Sequence, residues 1–171
     1  FFVATAFWNL VGAGILGFLV NPPIALYFIQ GLNTTASHAH GAFMGVYGML
    51  GIGLMLFCLR GLCGQMQWNE KLLKGAFWTL NIGLASMIAL SLLPVGIVQF
   101  FAVIEYGYWF ARSPEVIHSP LVEQLVWMRL FGDVLFGIGG MLLGYFLFDI
   151  IKKAIDKRRL AEGSKTISMQ V

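Results

Sequence analysis

The sequence predicts an all-α integral membrane bundle of four transmembrane helices that forms part of a larger fold. Three observations carry this. Charged residues make up only 11% of the 171 residues, against about 25% in soluble domains. Mean hydropathy is +0.80. Four apolar runs are each long enough to cross a bilayer, which needs about 20 helical residues. These features exclude a water-soluble globule. High aromatic content and low charge also exclude a disordered segment. Barrel strands alternate apolar and polar residues, and these runs do not. Lipid leaves no water for unpaired backbone groups, so helix is the default. Glycine is abundant, with 21 residues, which suits helices that approach closely in lipid.

The first run, residues 1–20, ends at Asn21-Pro22-Pro23, where two prolines cannot continue a helix. The second, about residues 36–60, stops at Arg60-Gly61. The third covers about residues 75–101, with Pro94 as an expected kink. The fourth covers about residues 121–151. Residues 161–171 read as a short polar tail. The chain starts at Phe1, inside or at the edge of a helix, which suggests a piece of a longer polypeptide. No charged n-region with a cleavage site is present.

Charge orients the bundle. The Arg60–Lys74 link and the end of the chain hold Arg60, Lys71, Lys74, Lys152, Lys153, Lys157, Arg158, Arg159 and Lys165. The opposite side has Arg112, with Arg129 just inside the fourth helix. The positive-inside rule places the basic side, and the C-terminus, in the cytoplasm. In a bacterium the membrane is the inner one. The basic cluster directly follows an apolar run, so it argues for membrane topology and not for nucleic-acid binding. Trp68, Trp78, Trp109, Tyr106 and Tyr108 fall near the expected interfaces. Glu70, Asp149 and Asp156 read as surface charge among lysines.

The residues suited to chemistry are few. His38 and His40 lie in the first turns of the second helix. A metal chelated by two histidines of one helix needs them on one face, at i,i+3 or i,i+4. At i,i+2 they stand about 200° apart and point to opposite sides. They cannot share a metal, but they are placed to reach two different cofactors across a slim Ala39, Gly41, Gly45, Gly48 surface. Haem iron accepts an axial imidazole and suits an apolar interior. The alternative is a structural or proton-relay pair bonded to neighbouring helices. Asp133, in the outer half of the fourth helix, needs a partner or a cavity. Arg129, four residues earlier, offers an ion pair. The functional alternative is a carboxylate that accepts a proton from a bound group.

Other polar residues read more plainly. Glu105, Arg112, Glu115, His118 and Glu123 occupy an outer link where most are solvated. Asn9 and Asn81 suggest interhelical hydrogen bonds. Met44, Met49 and Met55 suggest packing. Cys58 and Cys63 are too few for a disulfide framework. Gly12 and Gly17 suit either internal packing or a homodimer contact. Walker, G-x-S-x-G, H-E-x-x-H and C-x-x-C-H motifs are absent from the sequence.

The string Asn21-Pro22-Pro23, Gly31-Leu32-Asn33-Thr34-Thr35, His38-Ala39-His40-Gly41 and Gly45-Val46-Tyr47-Gly48 resembles the last quarter of the catalytic subunit of bacterial nitric oxide reductases, in the haem–copper oxidase superfamily. The likeness covers all four helices and is closer to the quinol-dependent, single-chain type. It implies that His38 is the proximal ligand of a high-spin b haem. It implies that His40 is one axial ligand of a low-spin b haem. The implied reaction reduces two NO to N2O and water with electrons from quinol. A non-haem iron is expected, with ligands elsewhere in the parent chain, so this piece alone is expected to be inactive. The resemblance also places Asp133, with Arg129 beside it, by a quinol pocket, and makes a haem propionate a candidate partner of Arg112. A terminal oxidase with copper is the first rival, although Ala39 stands where oxidases tend to carry an aromatic. A transporter or non-catalytic membrane protein with structural histidines is the rival from another class.

Overall fold

The computed structural model describes residues 1–63 and 66–168, with side chains through Leu160. Four helices are long and apolar enough to cross a membrane: Phe2–Val20 (α1), Asn33–Leu62 (α3), Glu70–Tyr106 (α4) and the segment Pro120–Leu160 of α6. Two short helices lie in the links, Pro23–Ile29 (α2) and Pro114–Ile117 (α5). Helix α6 continues to Ser168. The expected polar tail is therefore helical over most of its length. Its side chains, Lys165 included, lie outside the described residues.

The boundaries differ from the apolar runs for physical reasons. Helix α4 starts at Glu70, earlier than Gly75, because the Asn69 side chain accepts a hydrogen bond from Leu72 N at 3.2 Å and caps the first turn. The prolines after α1 both stop one helix and start another, since Pro23 sits in the first turn of α2, where its missing N–H costs nothing. Pro94 does not end α4. A π-helical stretch, Ile88–Leu92, precedes it, and the wider turn accommodates the ring and the carbonyl it deprives of a partner.

Neighbouring spans run antiparallel, as the contacts along each seam show. Gly12 of α1 meets Gly41 of α3, where a Cβ on Gly12 would lie 2.6 Å from the Gly41 carbonyl carbon. One turn nearer the basic end, the Trp8 side chain fills the place where a Cβ on Gly45 would be. Both helices are π-helical here, at Asn9–Ile15 and Gly41–Gly48. The α4–α6 seam is equally close, with Gly83 against the Phe136 backbone and Gly132 against the Met87 backbone. Gly12 is thus spent on internal packing. A central cluster of Trp8, Leu16, Met49, Leu80, Leu84 and Met87 joins the spans. Asn81 meets its expectation by accepting from Trp8 Nε1 at 2.9 Å. Asn9 does not: it is exposed and makes no interhelical side-chain bond among the described residues. Met49 is buried packing, as expected, whereas Met44 is exposed. Both cysteines are free thiols.

At the basic end, Arg60 lies 4.9 Å from the Trp68 ring centre. Lys74 pairs with Glu70 at 3.7 Å and Lys153 with Asp149 at 2.6 Å, in keeping with surface charge.

Candidate functional site

The site is built on the first two turns of α3, and α4 holds that start in place. The Asn33 N–H donates to Gln99 Oε1 of α4 at 3.0 Å. Helix α3 begins without a side-chain cap of its own, so the cap comes from another helix. Gly96 lets the two backbones meet, since a Cβ there would lie 2.3 Å from Thr34 N. Ser37, fully buried, donates to Asn33 O at 2.9 Å. This is why α3 starts at Asn33 and not at Ala36. Gln99 escaped the sequence reading, although an amide inside an apolar run is the same signal that marked Asn81.

The two histidines leave α3 toward different neighbours. His38 Nδ1 lies 2.9 Å from Gly12 O of α1. His40 Nδ1 lies 2.9 Å from Ala36 O, one turn back on its own helix. A carbonyl oxygen only accepts, so each Nδ1 carries a proton. Gly17 makes room for the His38 ring, because a Cβ there would lie 2.9 Å from His38 Cε1. The His40 Nε2 faces α6, with Arg129 Nη2 3.5 Å away, at the outer edge of hydrogen-bond range. Arg129 Nε in turn lies 3.2 Å from Asp133 Oδ2. The expected i,i+4 ion pair is therefore formed. Asp133, Arg129 and His40 come together on the α6 side, while His38 sits against α1.

These residues fit haem better than a free ion. Among the described residues, no group of three His, Cys, Asp or Glu side chains is placed to hold a metal. A bare ion needs several protein ligands. Iron already held by a macrocycle needs only an axial one. A single imidazole, oriented through its Nδ1–H by a carbonyl, is the usual form of such a ligand. A cavity of about 550 Å³ also opens among α1, α2 and α4. Thr34, one turn before His38, is the sole polar side chain in its lining, and Thr34 Oγ1 is buried without a hydrogen-bond partner among the described residues.

The outer-link candidates are engaged locally. Arg112 donates to Gly31 O at 2.8 Å and stacks 4.6 Å over the Tyr108 ring. Tyr108 OH donates to Gln30 O. Together they close the α2–α3 turn, where Gly31 adopts φ +70° and a Cβ would strike the guanidinium. His118 lies 3.5 Å from Glu123, and Ser113 donates to Glu115.

Bundle, close glycine seams and membrane-length helices define a multi-pass membrane protein of the helical class. The chain belongs to the haem–copper oxidase family described as cytochrome c and quinol oxidase polypeptide I, which matches residues 1–135. Among curated proteins it is similar to a nitric oxide reductase subunit of Stutzerimonas stutzeri, 28% identical over 148 residues. That alignment covers 80% of this chain and 29% of the relative, so the chain spans less than a third of the relative's length.

Proposed function

We propose that this chain is the C-terminal part of the catalytic subunit of a quinol-dependent nitric oxide reductase in the bacterial inner membrane, with its C-terminus in the cytoplasm. The observation that carries the reading is a pair of imidazoles that leave α3 toward different helices, each with its Nδ1–H on a backbone carbonyl. His38 would hold the high-spin b haem and His40 the low-spin one. When bound, the haems supply one-electron chemistry and, with a non-haem iron, a place for NO to be reduced. The remaining ligands, those of the non-haem iron included, belong to the rest of the parent protein.

This chain's own contribution is mainly positional. Gly12 O and Ala36 O fix the tautomer and ring direction of the two histidines, which raises the basicity of the free nitrogens. Gln99 and Gly96 fix the start of the helix that carries them. The apolar walls exclude water. At the α6 side, the Asp133 carboxylate would accept a proton from a quinol hydroxyl, and its pairing with Arg129 would orient it. The similarity to a nitric oxide reductase favours NO over oxygen as the substrate. The family match keeps a terminal oxidase as the second reading.

The test is haem and metal content of the purified parent protein, by pyridine haemochrome and elemental analysis. Two b haems with one further iron and no copper are expected. Copper would turn the assignment to an oxidase, and absence of haem would overturn both. His38→Leu is expected to remove the high-spin spectrum and His40→Leu the low-spin one. Asp133→Asn is expected to slow quinol-driven turnover with both haems retained. Unchanged quinol kinetics would remove Asp133 from the site.

A further inference from the structure

His40 is far in sequence from Arg129 and Asp133, yet the three meet across the α3–α6 boundary. Arg129 Nη2 lies 3.5 Å from His40 Nε2, and its Nε lies 3.2 Å from Asp133 Oδ2. Iron on Nε2 would take the place that Nη2 faces here, so the guanidinium would turn aside, while its pairing with Asp133 one turn along α6 keeps its charge near the haem. We propose that Arg129 is a positioning residue that sets the reduction potential of the haem on His40, and that Asp133 moderates it by neutralising the guanidinium. The inference rests on the reading of His40 as an axial ligand.

The physical reason is a charge next to a redox centre in a low-dielectric setting. The oxidised haem carries one more positive charge than the reduced one. An uncompensated guanidinium nearby disfavours the oxidised form and raises the potential. An uncompensated carboxylate does the reverse. In the pair the two effects partly cancel. Removing either member leaves the other alone, so the two single variants must shift the potential in opposite directions.

The experiment is spectroelectrochemical titration of the low-spin haem in the purified parent protein carrying Arg129→Gln, Asp133→Asn, or both. Arg129→Gln is expected to lower the potential and Asp133→Asn to raise it. Each is expected to change the oxidised-to-reduced ratio at fixed potential about tenfold, which is 59 mV for one electron. The double variant is expected to return toward wild type. Loosened packing alone would move both singles the same way, or neither, and either result overturns the inference. His40→Leu separates the two failures. If that variant keeps the low-spin spectrum, the ligand reading is wrong. If it loses the spectrum while the single variants leave the potential unmoved, the charge-setting role alone is wrong.

Discussion

Gly12→Ala is the most demanding test of the α1–α3 seam. The new Cβ would lie 2.6 Å from the Gly41 carbonyl carbon, 2.7 Å from its Cα and 2.8 Å from its oxygen. All three are backbone atoms, so no rotamer change relieves the clash. Ordinary contact begins at 3.4 Å, so the helices must part by about 0.8 Å at their crossing. Overpacking of this kind costs about 1–3 kcal/mol. The same residue supplies the carbonyl that holds His38 at 2.9 Å. Parting the helices by that amount takes this contact beyond hydrogen-bond range, and losing it costs about 0.5–1.5 kcal/mol more. The expected total is about 1.5–4.5 kcal/mol, with His38 the first side chain released. The assay is thermal retention of haem by the parent protein in detergent, followed at the high-spin and low-spin bands separately. The high-spin band is expected to fail first and at lower temperature than in wild type. Gly51→Ala is the comparison, because a Cβ there meets nothing within 4 Å in this chain. A Gly12→Ala protein that melts like wild type, with both bands intact, would refute the close crossing.

Three further outcomes are expected. Trp8→Phe removes the 2.9 Å bond to Asn81, and a double-mutant cycle with Asn81→Ala should show a coupling of about 0.6 kcal/mol, and no more than about 1.7. A coupling of zero in detergent unfolding would remove this bond from the core. Gln99→Leu leaves the Asn33 N–H without its acceptor, at a cost of about 1–3 kcal/mol. Hydrogen exchange should then report lost protection confined to the first turn of α3, together with faster haem dissociation, and unchanged protection would count against the cross-helix cap. A reporter fused after Leu160 should read cytoplasmic, and one inserted between Ala102 and Pro120 should read external. The reverse pattern would invert the topology drawn from the basic residues.

Much of the architecture was legible because its signals are local. Twenty apolar residues specify a span, an i,i+2 pair specifies opposed side chains, and an i,i+4 pair specifies the Arg129–Asp133 bridge. The ends of the spans were less legible. Asn33, Thr34 and Thr35 are polar, so they read as link, yet Gln99 makes them the start of a helix. Glu70 and Lys71 hid the start of α4 in the same way, and there the signal was the Asn69 cap. The short helix Pro23–Ile29 was hidden because Pro22-Pro23 reads first as a stop. Asn9 was misjudged because an amide in an apolar run faces a neighbour only if the helix is rotated that way, and rotation is set by packing. The meeting of Arg129 with His40 had no sequence signal at all. It depends on how α6 lies against α3, which is a property of the assembled bundle.

The cap on α3 also constrains how such a chain is made. The ribosome delivers His38 and His40 well before Gln99, and Arg129 later still. When the histidines first enter the bilayer, their helix has no acceptor for its leading amide and no wall behind Thr34. Both arrive with the next span. A nascent chain halted before Gln99 would carry both imidazoles on a helix whose leading amide has no acceptor. The first turn of α3 is therefore completed late in biogenesis, by a helix that arrives one span after it.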